Sequence, residues 1–351
     1  MNNIEDIKEK VASIEYEFLR KDEHLGSRII LLGLGGSYSY GTNNADSDLD
    51  IRGCALNSKA EILTNEIFEQ FVNEETDTVI YSFNKLISLL SNVNPNTIEL
   101  LGLKPEHYLY ISPVGKELLD NKKLFLSKRA AHSFGGYANQ QLYRLRQKSA
   151  SQMKQADLEE HILKTLEHMM TDFDKYSAIP GDALKLYIDE AVQEGYETEI
   201  FMDIQLTHYP LRDYCSMWNE LQNTVKSYGK IGVRNEKAIL HNKIGKHSMH
   251  LIRLYMMCLD ILEREEIVTY REKEHDLLMD IRNGKYLGED GKPNVEFYEM
   301  VNDYEKRLEY ARANTGLPDN PDYKRINEFV MSVNERVVKG AFSRSPMDQK
   351  S

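Results

Sequence analysis

"LGLGGSYSYGTNNADSDLDIRG", residues 32–53, ends an apolar run with Gly35, Gly36 and Ser37, and after a short polar stretch returns with Asp46, Asp48 and Asp50. Two familiar phosphate-binding patterns do not fit it. A dinucleotide fingerprint needs a third glycine after Gly33 and Gly35, where Tyr38 stands, and a Walker loop needs a lysine, while none occurs between Lys21 and Lys59. A site for a nucleoside triphosphate held through metal ions does fit. Gly36 leaves the backbone open to close approach, and Ser37 brings a hydroxyl and neighbouring backbone N–H groups, a seat for phosphate oxygens.

The acids complete that reading. Leu49 to Leu56 reads as a strand, so Asp48 and Asp50 point to one face with Cα atoms roughly 6 to 7 Å apart at about 3.3 Å per residue. Carboxylates so placed suit Mg²⁺ or Mn²⁺, which take oxygen ligands from one or two acids plus substrate phosphates. Asp46 reads as a turn residue. Thr76 to Phe83 (TDTVIYSF) reads as a further strand with Asp77 at its start, the third acid of a two-metal site that can clamp the attacking and leaving oxygens of a phosphoryl transfer.

Outward from this stretch, residues 3 to 24 show helical spacing of Ile4, Ile7, Val11, Ile14, Phe18 and Leu19, closed by Gly26. Arg28 to Leu34 reads as a buried strand. Leu86, Ile87 and Leu90 open a helix, and Asn94-Pro95 caps another over TIELLGL. Beyond about Leu124 amphipathic stretches follow near 128–148, 156–176, 213–228, 236–264, 267–283, 295–313 and 322–341. The expected architecture is α+β: residues 1–124 form a catalytic domain with a short sheet and flanking helices, 125–341 an all-helical domain, and 342–351 a tail.

At 351 residues, 41% hydrophobic and 28% charged, the chain is long enough for about two domains with real cores. No apolar run reaches the roughly 18 residues of a membrane span, and MNNIEDIKEK lacks the apolar core of a secretory signal, so a cytoplasmic protein is expected. Cys54, Cys215 and Cys258 are too scattered for a disulfide framework or metal spacing and read as reduced core thiols. The net charge of −12 argues against a general nucleic-acid binder, but two basic stretches interrupt it. One holds Lys122, Lys123, Lys128, Arg129, Arg144, Arg146 and Lys148. The other holds Lys226, Lys230, Arg234, Lys237, Lys243, Lys246 and Arg253 against the single acid Glu236. Either can line a groove for phosphates or form a solvated helix face.

GGSYSYGT followed by DSDLDIRG, with Asp77 opening the next strand, resembles the DNA polymerase β-type nucleotidyltransferase superfamily, whose signature is Gly-Ser, a gap, Asp-x-Asp and a later acid. With NPNTIELLGL (94–103), LFLSKRAAHSFGGYANQQLYRL (124–145) and HNKIGKHSMHLIRL (241–254), the chain is similar to the branch found beside RNA ligases in RNA repair. The resemblance implies a polymerase-β-like fold, Gly36 and Ser37 holding the triphosphate, and Asp48, Asp50 and Asp77 ligating metal. On the helical side Lys243, Lys246, His247, His250 and Arg253 recur at three- and four-residue steps and are candidates for phosphates of nucleotide or RNA. Zinc on His241, His247 and His250 lacks a completing acid or thiol. Tyr38 and Tyr40 either stack on a base or pack under the loop, and Tyr40 is kept with the nucleotide-binding set. Lys128, Arg129, Arg144, Arg146 and Arg253 are the acceptor-binding set, with Gln141 beside them, and Trp218 reads as core.

The expected activity is transfer of a nucleoside monophosphate from an NTP to an acceptor hydroxyl with release of pyrophosphate. The first acceptor is an RNA 3′ end, such as that of a damaged tRNA, with an RNA ligase as possible partner. Modification of a protein hydroxyl, synthesis of a nucleotide signal, and a non-catalytic NTP or RNA sensor are the alternatives.

Overall fold

The structure, a computed structural model, describes residues 4–44, 47–150, 159–160, 162–164, 166–167, 184–192, 198–229, 243–288 and 291–341. Asp46, His241, most of the 156–176 stretch and the 342–351 tail lie outside the described residues. Two compact units divide the chain: residues 1–140, 249–281 and 296–351 form the first, and 141–248 with 282–295 the second. The first is therefore not the continuous segment 1–124. Its core takes in Leu254, Met257, Cys258 and Ile261 as well as Leu317, Ile326 and Val333 around Leu86, Ile98, Leu101 and Phe125, because those late helices are amphipathic and need this apolar surface.

Helix α1 (Ile4–Ala12) stops early relative to the 3–24 expectation. Ser13 is extended (φ −71°, ψ 176°), and the Arg20 guanidinium donates to the carbonyls of Val11 and Ser13 at 3.3 and 2.8 Å, satisfying the end of the helix. A second short helix, α2 (Phe18–Lys21), follows. Strand β1 (Ile29–Leu34) is buried along its whole length, as its unbroken apolar run demands. The short helix α3 (Gly36–Tyr40) comes next and ends on Gly41 in the left-handed region (φ 76°). Strand β2 (Ile51–Ala55), helix α4 (Lys59–Leu63), strands β3 (Gln70–Asn73) and β4 (Thr78–Ser82), helices α5 (Phe83–Ser91) and α6 (Pro95–Ile98), strand β5 (Tyr108–Ile111) and helix α7 (Pro113–Asp120) complete the order. The Asn94 side chain caps α6 by accepting from the Asn96 N–H at 3.0 Å, as its Asn-Pro start requires.

The sheet runs β3-β4-β2-β1-β5. Strand β2 pairs antiparallel with β1 and parallel with β4, while β5 and β3 form antiparallel edges. The edge strands are only four residues long, and neither was expected from sequence. An α+β unit with a small mixed sheet and flanking helices is thus present in the N-terminal region, followed by a largely helical C-terminal region.

In the second unit a two-stranded antiparallel sheet, β6 (Leu184–Glu190) with β7 (Thr198–Ile204), breaks the all-helical expectation. Leu186, Met202 and Ile204 pack on a small core of Leu166, Met217 and Leu221. Helix α8 (Arg129–Ala150) runs across the division between the units. Later helices are α9 (Leu211–Gly229), α10 (Lys243–Arg264), α11 (His275–Arg282), α12 (Val295–Asn314) and α13 (Tyr323–Val338). Helix α11 is shorter than the 267–283 expectation because residues 267–271 are irregular and tied into the first unit, with the Thr269 N–H bonded to the Gly102 carbonyl at 3.2 Å. Cys54 and Cys258 are buried core thiols as expected, but Cys215 on α9 is exposed. Trp218 is likewise 39% exposed on that helix, stacked on Tyr214, rather than core.

Candidate active site

Strand pairing brings the acids of the opening stretch together. Ile51 pairs with Thr78 in the parallel β2–β4 ladder, so Asp50 and Asp77 stand side by side one residue earlier, and the Ile51 N–H bonds the Asp77 carbonyl at 3.1 Å. On the other side the Gly35 N–H bonds the Asp50 carbonyl at 2.8 Å, extending the β1–β2 ladder to the foot of α3. Asp50 is thereby pinned from both neighbouring strands.

Asp77 ends the four-residue connection between β3 and β4 with φ 44°, a left-handed conformation that aspartate tolerates better than most residues. Gly36 also has a positive φ, 53°, and a Cβ there would overlap the Asp50 carboxylate. The glycine is what lets α3 begin against that acid. Ser37 is half-buried inside α3, and its carbonyl accepts from the Thr42 N–H at 2.9 Å.

Arg52 organises the pair of acids. Its Nη2 donates to Asp50 Oδ1 at 3.3 Å and to Asp77 Oδ1 at 3.0 Å, and its Nη1 to the Asp77 carbonyl at 2.5 Å. Two carboxylates from adjacent strands therefore converge on one cationic group. Sequence reading does not bring out this role. The two-residue spacing from Asp50, placing both on one side of the chain, was the available signal.

Asp48 differs from expectation. Strand β2 begins only at Ile51, residues 47–50 are irregular, and Asp48 is exposed, so strand alternation does not fix it beside Asp50. The ladder stops there because Gly35, which takes the Asp50 carbonyl, is the last β1-side residue before α3 turns away. Among the described residues no group of three or more His, Cys, Asp or Glu side chains is arranged to hold a metal ion. The donor set nevertheless fits a divalent cation in kind: hard carboxylate oxygens from Asp50 and Asp77 already meet at a positive charge, with Asp48 two residues away.

Other candidates fall into different places. Tyr40 is 7% exposed, its hydroxyl donates to Glu99 Oε2 at 2.5 Å, and the Arg253 guanidinium covers its ring at 3.6 Å. It is a packing residue, not an open surface for a base. Arg253 is 1% exposed, donates to Glu99 Oε2 at 3.2 Å and pairs with His250 Nδ1 at 2.9 Å, so it does not face an acceptor. Its helical spacing suggested a basic face, but apolar Leu254, Met257 and Ile261 on the same helix draw that side inward.

Lys128 is paired with Asp319 at 3.0 Å, and Arg129 donates to the Tyr323 hydroxyl at 3.0 Å and to Asn92 Oδ1 at 2.8 Å. Arg129, the first residue of α8, and Lys128 just before it tie the start of that helix to neighbouring segments of the first unit. Gln141 is buried. Lys246 is exposed and His247 half-buried on α10, in the second unit. The side chains of Arg144, Arg146 and Lys243 lie outside the described residues. Glu99 was not singled out from sequence either, although a lone acid inside the apolar run TIELLGL is a sign of a buried partner.

The Gly-Ser turn and the acids that precede two adjacent strands are the residues on which the resemblance to the polymerase β-type nucleotidyltransferases rests. Residues 4–170 match the model of RlaP, the RNA repair pathway DNA polymerase beta family. That is the branch which the Gly-Ser and Asp-x-Asp stretch resembles, and the matched segment contains Gly36, Ser37, Asp48, Asp50 and Asp77. No curated protein and no solved structure matches the chain. Among the described residues no helix is long and apolar enough to cross a membrane.

Proposed function

We propose that the chain is a divalent-metal-dependent nucleotidyltransferase that moves a nucleoside monophosphate from an NTP to an acceptor hydroxyl, most directly an RNA 3′ end. The observation that supports this best is the convergence of Asp50 and Asp77 on a single cationic group at the foot of the Gly36–Ser37 turn. In this reading Asp48, Asp50 and Asp77 hold Mg²⁺ or Mn²⁺, which supplies charge neutralisation on the phosphates and lowers the pKa of the acceptor hydroxyl. Gly36 and Ser37 receive the β- and γ-phosphates. The acceptor oxygen attacks the α-phosphorus, the α–β anhydride breaks, pyrophosphate departs, and Asp77 takes the proton of the hydroxyl.

Residues 1–124 are the catalytic region in this proposal and the chain beyond them positions the acceptor. Lys246 and His247, together with Lys243, Arg144 and Arg146, are assigned to phosphates of nucleotide or RNA, and Lys128 and Arg129 contribute only by exchanging their internal partners. The RNA acceptor draws support from the RNA repair family matched by residues 4–170. A cytoplasmic setting and an RNA ligase partner belong to the same reading.

Incubation of the full chain with α-labelled NTPs, Mg²⁺ and a mixture of tRNA and short RNA oligonucleotides tests it. The expected result is label on RNA with release of one pyrophosphate per transfer, lost in Asp48→Asn and Asp77→Asn. Label on protein instead would move the acceptor to a protein hydroxyl. Binding of NTP with no pyrophosphate in any combination would reduce the chain to a sensor and overturn the proposal.

A further inference from the structure

Helix α3 is five residues long, a single turn that cannot hold its own position in water. What fixes it is therefore what it is tied to. Its start is held by the Gly35–Asp50 bond and by the fit of Gly36 over the Asp50 carboxylate. Its end is held by Tyr40, whose ring and hydroxyl are anchored far below the turn.

Four chain segments meet at that anchor. The Tyr40 hydroxyl and Arg253 Nη1 both donate to Glu99 Oε2, at 2.5 and 3.2 Å, while the guanidinium also lies 3.6 Å from the centre of the Tyr40 ring. The Glu99 carbonyl accepts from Thr269 Oγ1 at 2.7 Å, and the Tyr40 carbonyl from the Arg271 N–H at 3.2 Å. Gly41 follows directly, packed against the Tyr270 ring so closely that a Cβ would collide with it.

We propose that the buried Tyr40–Glu99–Arg253 chain is a positioning device that sets where the Gly36–Tyr40 turn stands relative to the Asp50 carboxylate. Its catalytic consequence rests on the function proposed above; its structural content does not.

The chemistry argues against simple filling of space. Burying a guanidinium and a carboxylate costs desolvation that an apolar trio would avoid, and Arg253 Nε is buried without a hydrogen-bond partner among the described residues. What ions supply that aliphatic side chains do not is direction: charge-assisted hydrogen bonds are short and fix orientation as well as distance. Burial, only partly offset by the Arg253 charge, pushes the Tyr40 phenol well above its usual pKa, so the hydroxyl remains a donor. Position matters here because a triphosphate held at one end must present its α-phosphorus to acids at the other.

Tyr40→Phe tests this with little disturbance, since the ring stays beneath Arg253 and only the hydroxyl link is lost. Tyr108→Phe is the control: it removes a hydroxyl donating at 2.9 Å to the Leu100 carbonyl in the same core, without touching α3. Hydrogen exchange at residues 36–42, in the full chain without nucleotide, should speed up about tenfold in Tyr40→Phe, the size expected for losing one hydrogen bond to a charged group, and stay unchanged in Tyr108→Phe. With the four common NTPs and Mg²⁺, the KM for the NTP should rise about tenfold in Tyr40→Phe while the KM for the acceptor stays within twofold. General destabilisation would lower the active fraction and leave both KM values alone. Unchanged exchange and unchanged NTP KM in Tyr40→Phe, or equal effects in Tyr108→Phe, would overturn the proposal. Should the wild type show no transfer, the function fails on its own account and the exchange result alone decides the positioning role.

Discussion

Asp50→Asn should lower nucleotidyl transfer by about a thousandfold while leaving the protein folded. Metal-borne charge stabilisation is worth several kcal/mol, and each factor of ten in rate takes about 1.4 kcal/mol, so loss of one shared carboxylate reaches about three decades. The fold should survive because Asp50 contributes to the sheet through its backbone: its carbonyl accepts from Gly35 and the following Ile51 N–H donates to Asp77. Asparagine keeps those groups and fits the same space over Gly36. It also leaves Asp77 as the remaining acid on Arg52 Nη2. Initial rates of pyrophosphate release beside a thermal melt check both halves. A variant that keeps more than a tenth of wild-type turnover would remove Asp50 from the reaction.

Arg253→Ala should destabilise the first unit by about 3–5 kcal/mol, because it strands the Glu99 carboxylate in the core without its charge partner. The pair is almost fully enclosed, with side chains 1% and 9% exposed. Screening by solvent therefore does little to soften the loss. Replacing both ions, Arg253→Met with Glu99→Leu, should recover much of that stability, since an apolar pair of similar volume avoids the desolvation. Urea unfolding of the two variants measures the difference. A loss below about 1 kcal/mol in Arg253→Ala would mean that Glu99 finds other partners and that the buried pair is not what holds this part of the first unit together.

These two residues mark where sequence was readable and where it was not. The buried strand at 29–34, the Gly-Ser turn and the strand after Asp50 follow from local rules: an unbroken apolar run, glycines where the backbone must approach an acid, and a short, mostly buried stretch from Ile51 to Ala55. The Asn94-Pro95 cap is equally local. Arg253 could not be placed this way. Successive three- and four-residue steps link it to His250, His247 and Lys246, which suggest a polar face, while apolar Leu254, Met257 and Ile261 beside it and the buried partner Glu99, 154 positions away in sequence, draw the guanidinium inward. Strands β3 and β5 escaped for a related reason, being four-residue edges whose pairing is supplied by β4 and β1. Strands β6 and β7 did alternate, as LKLYIDE and TEIFMDI show, but they lie in an interval bounded by long helical patterns. Tyr40 illustrates a smaller ambiguity: an aromatic beside a phosphate turn serves equally well as platform or anchor, and the partner that decides, Glu99, is remote in sequence.

Everything proposed for the reaction depends on Asp48, Asp50 and Asp77 forming a seat for divalent cations beside Ser37. Crystals grown with Mn²⁺ and a non-hydrolysable NTP, measured for anomalous scattering, address that seat directly. Mn²⁺ is expected at about 2.1 Å from carboxylate oxygens of Asp50 and Asp77, with the β- and γ-phosphates on the Gly36–Ser37 turn. Mn²⁺ bound elsewhere, with both carboxylates still held on Arg52 and the triphosphate away from the turn, would contradict that expectation.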